Sequence, residues 1–249
     1  MADTRSQFLN LINNVERYLV QQKDLFGNIV YTEEKKPVSS SLGAIASQYP
    51  GEPWAGMSTL EELNKMICTC LKCPLGHTRT NFVFGVGNPA ADVMFIGEAP
   101  GADEDAQGEP FVGRAGQLLN KIIESIGLKR EDVYICNILK CRPPNNREPL
   151  PTEMETCTPY LYKQIELIHP KFIICLGRVS AQWLLQTNEN LTSLRNKVHD
   201  FRGAKLIVTY HPAALLRNPN WKRPTWDDMK MFMNLYNKQK VIAYDASKG

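Results

Sequence analysis

No stretch of this 249-residue chain approaches the ~18 apolar residues a membrane span needs, and the N-terminus lacks the apolar core of a signal peptide. A cytoplasmic, nucleoid-associated protein with no membrane partner is expected. Net charge is also scarce: 29 Lys and Arg against 26 Asp and Glu leave only +3, too little to establish a nucleic-acid partner. Seven cysteines are an odd number, unevenly placed. Without an export signal they argue against a disulfide framework and for thiolates used as ligands. Internal repeats and low-complexity tracts are missing. What remains, 43% apolar and 22% charged residues, is ordinary for a globular chain long enough for one large domain or a domain with an appendage.

The chain is organised around residues 93–120. An apolar run (Val93, Met94, Phe95, Ile96) stops at Gly97, then an acidic Gly- and Pro-containing loop extends to Gly113 before an amphipathic helix. Most connections between a strand and a helix are about 2–6 residues long, so this loop is predicted to build a site at the carboxyl edge of a sheet. It lacks the spacing of a dinucleotide fingerprint and the Gly-Lys-Ser/Thr ending of a phosphate loop. Its acidic run would repel phosphate, so no nucleotide cofactor is expected.

Residues 5–22 have helical apolar spacing, and a polar stretch without sustained period follows. Residues 1–57 are therefore read as an N-terminal helix plus flexible linker, and 58–249 as one folded, monomeric domain. Ser58-Thr-Leu-Glu61 and Thr152-Glu-Met-Glu155 read as capping boxes. Strands are predicted at 92–97, 132–138, 171–176 and 205–210, and helices at 114–126, 152–168, 178–187 and 226–239. The alternation predicts an α/β fold, a three-layer αβα sandwich with a central four-stranded parallel sheet.

The polar groups that could do chemistry follow strand ends: Glu98, Asp103, Glu104 and Asp105 after the first strand, Asn137 at the second, His211 after the fourth. One sheet edge would gather a carboxylate, an amide and an imidazole, suited to binding a polar heterocycle and stabilising charge leaving on it. Asn137 capping a turn and His211 as a satisfied loop residue are the bland alternatives, weakened by their common location. Lys140, Arg142 and Arg147 form one basic cluster and Arg217, Lys222 and Arg223 another. Solvated charge explains either alone, whereas two beside the candidate site suggest phosphate contact.

Cys70-Leu-Lys-Cys73 offers two thiolates, and Cys141 and Cys157 lie farther on, all able to hold zinc or an iron–sulfur cluster. The second pair is too widely spaced for a zinc knuckle, which favours [4Fe–4S]. Cys68 could replace Cys70. Cys136 and Cys175 sit within apolar runs and read as core.

Five motifs in order resemble the family-4 uracil-DNA glycosylases, the iron–sulfur type of bacteria and archaea: Gly97-Glu-Ala-Pro-Gly101; Gly108-Glu-Pro-Phe-Val-Gly-Arg-Ala-Gly-Gln-Leu-Leu119; Asn137 ahead of Lys140-Cys-Arg-Pro-Pro144; Cys157; and His211-Pro-Ala-Ala-Leu-Leu-Arg-Asn-Pro219. The likeness covers residues 61–232. It implies hydrolysis of the bond between uracil and deoxyribose in single- or double-stranded DNA, with the base flipped out of the helix. It further implies that Glu98 and Ala99 line the pocket floor and help position water, that Phe111 stacks on uracil, and that Asn137 reads its pairing edge. Glu104 would exclude the thymine methyl, and His211 would donate to the oxygen gaining charge. Leu215 and Leu216 would wedge into the vacated stack, with Arg217 on a phosphate. Cys70, Cys73, Cys141 and Cys157 would hold a structural [4Fe–4S] cluster. Ala99 stands where better-known glycosylase families place an acidic or amide residue, so Glu98 is taken as the water activator. A related subgroup traps DNA through a histidine after the second strand. No histidine lies between Asn137 and Cys157, so turnover is expected. A DNA-binding module that has lost the chemistry is the runner-up, and a nucleotide-binding α/β enzyme a weaker third reading.

Overall fold

The computed structural model describes residues 45–246, with side chains for 45–239; the expected helix over 5–22 lies outside the described residues. The described chain runs α1 (Ile45–Gln48), α2 (Leu60–Ile67), α3 (Leu75–Thr78), β1 (Val86–Gly87), β2 (Val93–Gly97), α4 (Ala102–Gln107), α5 (Arg114–Ser125), β3 (Tyr134–Asn137), α6 (Pro151–Ile168), β4 (Phe172–Leu176), α7 (Arg178–Leu185), α8 (Leu191–Leu194), β5 (Val198–Phe201), β6 (Ala204–Thr209), α9 (Pro212–Arg217) and α10 (Lys222–Ala246). No described helix is long and apolar enough to cross a membrane.

The four expected strands are present and parallel, in the order β3-β2-β4-β6. The expected sheet of four is in fact six: β1 pairs antiparallel on β3 and β5 antiparallel on β6. Both additions are edge strands, and one is only two residues long, too short for a period of 2 to be legible. Strand residues alternate between two cores, as pleating demands. Met94, Ile96, Ile173, Cys175, Leu206 and Val208 face Leu161, Ile165, Ala181 and Leu184 of α6 and α7. Val93, Phe95, Phe172, Ile174 and Ile207 face Leu119 and Ile123 of α5 and Met229 and Phe232 of α10. Those faces make the three αβα layers.

Local signals decide where helices begin. The first capping box forms one residue later than expected, with Thr59 Oγ1 accepting from the Glu62 amide at 3.1 Å and Glu62 returning the bond to the Thr59 amide at 3.2 Å. In place of the expected 152–155 box, α6 starts at Pro151 and Glu153 accepts from the Leu150 amide at 2.8 Å, because Pro suits the first helical position. Residues 45–57, expected to belong to the linker, pack into the core instead. Ile45 and Trp54 are buried, and the Trp54 ring packs edge-on against Tyr160 of α6.

One buried network holds the end of β6. Arg195 donates to both oxygens of Asp228, at 2.8 and 3.0 Å, and Thr209 donates to Asp228 at 2.7 Å. Both charges are sealed from water. Removing one partner of such a pair strands the other charge and costs roughly 3–5 kcal/mol. Asp228→Ala should therefore lower the unfolding midpoint by roughly 6–20 °C, measured by calorimetry; a shift inside the scatter of surface substitutions would show the network to be dispensable.

Candidate functional site

The parallel register brings the strand ends level. Gly97 lies opposite Asn137 across β2 and β3, and the chain continues from Gly97 into Glu98 and from Thr209 to His211. Past the strands, the Ile138 amide bonds to Gly97 O at 3.1 Å and the Leu139 amide to Glu98 O at 3.0 Å. A cleft of about 800 Å³ opens there, lined by Glu98, Ala99, Glu104, Phe111, Asn137 and His211 together with Arg217. The structure thus brings the predicted pocket residues together.

Asn137 is buried, and its side-chain oxygen has no hydrogen-bond partner. A buried acceptor left unpaired costs about 1–3 kcal/mol, so an unmet one in a cleft asks for a donor from a ligand. Gly97 makes room for it: a Cβ there would collide with that oxygen and come within 2.7 Å of Phe111 Cζ.

His211 caps α9, its Nδ1 accepting from the Ala213 amide at 3.1 Å. Burial, with the nearby Arg217 charge, lowers its pKa to about 4. At neutral pH the imidazole is uncharged, and with Nδ1 occupied as acceptor the proton sits on Nε2. Gly177, at a positive φ of 101°, passes behind it; a Cβ would press on His211 Cβ at 3.1 Å. Phe111 lies over the cleft, 5.5 Å from the imidazole centroid. Its backbone is held at φ 55°, unusual for a bulky residue, by a clamp the sequence did not reveal: Arg130 donates to Pro110 O at 2.6 Å and Phe111 O at 3.4 Å.

Glu98 is desolvated by burial. Repulsion from Glu148, only partly offset by attraction to Arg178, adds to this and raises its pKa to about 7. Glu104 begins the turn of α4 hidden in the expected loop. It accepts from the amides of Gly101 (3.1 Å), Val112 (3.0 Å) and Gly113 (3.2 Å), so one carboxylate fixes the loop on either side of Phe111.

Two expectations fail. Leu215 is 1% exposed and faces inward, while Leu216 is 39% exposed; successive residues of a helix point about 100° apart, so α9 cannot present both. Nor do the three cations of the first basic cluster form one surface, since only Arg142 is both accessible and without an acidic partner. Lys140 is fully buried, donating to Asn137 O at 2.8 Å and Gln164 Oε1 at 2.6 Å. Arg147 is paired to Glu153.

The cysteines lie beyond Lys140. Cys141 interacts electrostatically with Cys73 and Cys70, and Cys157 with Cys141 and Cys73, so the four thiols converge. Two sulfurs have an N–H donor beside them, Arg79 Nη1 at 3.1 Å from Cys141 and the Lys140 amide at 3.4 Å from Cys157, and Cys70 Sγ shares a hydrogen bond of 3.3 Å with the Tyr160 hydroxyl. Arg79 also donates to the carbonyls of Cys68 and Cys70. The Cys68 thiol instead turns back to Lys65 O. Among the described residues no group of three or more His, Cys, Asp or Glu is placed to hold a metal ion. Hydrogen-bond donors to sulfur are what tune an iron–sulfur site. Four converging thiols, two of them with N–H donors beside the sulfur, have the chemistry such a group needs. Cys136 and Cys175 are buried within strands, as expected.

The tautomer and charge of His211 are open to measurement. Its imidazole should remain neutral with the proton on Nε2 from pH 8 down to about pH 5 in ¹⁵N NMR of the folded protein. A titration near the ordinary histidine value of about 6.5 would contradict this geometry.

Compared with known proteins, the model of the uracil DNA glycosylase superfamily matches residues 84–230. The chain is similar to the type-4 uracil-DNA glycosylase of Archaeoglobus fulgidus, with 45% identity over 197 residues, 76% of this chain and 99% of the relative. It is 46% identical to that of Saccharolobus solfataricus over 183 residues, 70% of this chain and 85% of the relative. A type-5 uracil-DNA glycosylase of Thermus thermophilus is 28% identical over 183 residues, 64% and 79% of the two chains. The matched span contains the whole cleft from Glu98 to His211, and with that geometry the chain belongs to the uracil-DNA glycosylase superfamily.

Proposed function

We propose that this chain is a uracil-DNA glycosylase that hydrolyses the bond between uracil and deoxyribose in DNA, leaving an abasic site for base excision repair. The observation that carries the reading is the unpaired Asn137 oxygen on the floor of a cleft that also holds a neutral imidazole donor and a half-buried carboxylate. Uracil offers an N3–H donor to that oxygen, whereas cytosine presents a lone pair there and leaves the acceptor unmet. Phe111 stacks on the extruded base, and the pinned Glu104 carboxylate closes the space a thymine methyl would need.

As the C1′–N1 bond breaks, the sugar gains positive and the base negative charge. His211 Nε2–H donates to the base oxygen without itself being charged. Glu98, ionised, lies on the side of positive charge, orients a water toward C1′ and accepts its proton. The base leaves as its N1 anion and is protonated from solvent while Glu98 gives its proton back to solvent, so the products are uracil and a C1′-hydroxyl sugar. Leu216, exposed next to Arg217, fills the gap left by the base while Arg217 meets a phosphate. The enzyme works as a monomer.

Cys70, Cys73, Cys141 and Cys157 would hold a [4Fe–4S] cluster, which would supply a structural crosslink between the 68–73 loop, the 141 loop and α6 rather than redox chemistry.

Single-turnover release of base from an oligonucleotide carrying one uracil, with thymine and cytosine controls, tests the reaction; no release from iron-loaded protein would replace it with a DNA-binding module. Because Glu98 acts ionised and its pKa is about 7, the rate should rise with pH through about 7 and level off above. Glu148→Gln, removing a negative neighbour, should move that limb to lower pH, and Glu98→Gln should abolish it. A rate flat from pH 6 to 8 would remove Glu98 from this role.

Cys70→Ser, Cys141→Ser and Cys157→Ser should each lose iron and visible absorbance with a fall in soluble yield, whereas Cys68→Ser and Cys175→Ser should keep both. Iron lost from Cys68→Ser and kept in Cys70→Ser would reverse the ligand assignment.

A further inference from the structure

Trp221 lies on the rim of the cleft, at the end of the short turn Pro219–Trp221, and remains 38% exposed. Its indole lies flat on Tyr210, centroids 4.8 Å apart and planes 12° apart. The Arg195 guanidinium stands 4.4 Å from the same tyrosine ring. Two groups cannot share one face of a ring, so Arg195, Tyr210 and Trp221 form a three-deck stack. Its base is immovable, since Arg195 is locked by Asp228 and by Pro224 O at 2.6 Å. Its top is an aromatic surface open to solvent beside the base pocket. Arg217 lines the same cleft, Lys222 and Arg223 follow Trp221 directly in the chain, and all three are exposed; Arg223 acts on Asp227 only at a distance. A rigid aromatic face with exposed cations close by in the chain is the arrangement that binds single-stranded nucleic acid, bases on the ring and phosphates on the charges.

We propose that Trp221 is a stacking platform for a base flanking the extruded uracil, with Arg217, Lys222 and Arg223 on the adjoining phosphates. This rests on the uracil-DNA reading of the cleft. Every base has a π face, so the contact tolerates any neighbouring sequence. A flanking base must leave its own stack to reach the indole. In a single strand it is free to do so, and in a duplex it must first unpair. The platform therefore selects for uracil in single-stranded or frayed DNA and sets substrate context rather than chemistry.

The test compares wild-type protein with Trp221→Ala and Trp221→Phe on a uracil oligonucleotide, single-stranded and in a U·G duplex. Trp221→Ala should raise KM on the single strand by roughly 5- to 100-fold, change kcat far less, and move KM on the duplex little. Trp221→Phe should recover most of the loss. A second arm uses a uracil-free single strand: it should quench tryptophan fluorescence in wild-type protein and lose most of that quenching in Trp221→Phe. Wild-type KM on single strands in Trp221→Ala, or an equal rise on both substrates, would overturn the platform while leaving the glycosylase reading intact. If wild-type protein releases no uracil, the glycosylase reading falls, and the uracil-free arm still decides whether Trp221 stacks on DNA.

Discussion

The structure is arranged around one unmet hydrogen bond. Asn137 Oδ1 is buried at the end of a central parallel strand with no partner, a loss of about 1–3 kcal/mol that folding must absorb. The surroundings preserve the vacancy rather than relieve it. Gly97 withholds a side chain from the space between it and the Phe111 ring, and Lys140 takes the main-chain oxygen of Asn137 instead of the side-chain one. Sites that read a ligand's polar edge gain discrimination this way, because the wrong ligand leaves the cost in place.

Lys140 also ties the two halves of the site together. Its ammonium holds the Asn137 main chain and Gln164, whose amide reaches Phe84 O and Tyr134. Its own backbone amide points at Cys157 Sγ. A buried lysine without a carboxylate is costly, and desolvation lowers its pKa; the nearby thiols pull the other way. With thiolates in place of thiols, the same lysine becomes a counter-charge. The cysteine site and the base pocket are thus mechanically continuous, although they lie at different places on the fold.

Much of this was legible in the sequence because it rests on short-range signals. Apolar runs ending in Gly97, Asn137 and Gly177 mark parallel strands, and groups that follow strand ends must meet at one edge. The pocket residues Glu98, Asn137 and His211 fall in such places, whereas Phe111, beyond α4, was reached only through the family resemblance. What escaped depends on tertiary packing. The β1 and β5 edges are short and half-solvated. Leu215 and Leu216 are chemically equivalent in the sequence and differ only in which way α9 turns them. Lys140 reads as one of three surface cations, yet it is the one drawn inside by Asn137 O and Gln164. The Arg130 clamp and the Tyr210–Trp221 stack join residues whose pairing no local pattern announces, although Tyr210 directly before His211 was the available hint.

The claim on which the account turns is that the Asn137 oxygen waits for a uracil N3–H. Calorimetric titration of the folded protein with free uracil, 3-methyluracil and cytosine tests it without DNA and without catalysis. Uracil should bind, and the two bases lacking that hydrogen should bind at least roughly 10-fold more weakly, in line with the cost of leaving a buried acceptor unmet, with the preference lost in Asn137→Ala. Equal affinity for uracil and 3-methyluracil would mean that the unpaired oxygen does not read the base, and the recognition scheme built on it would fall.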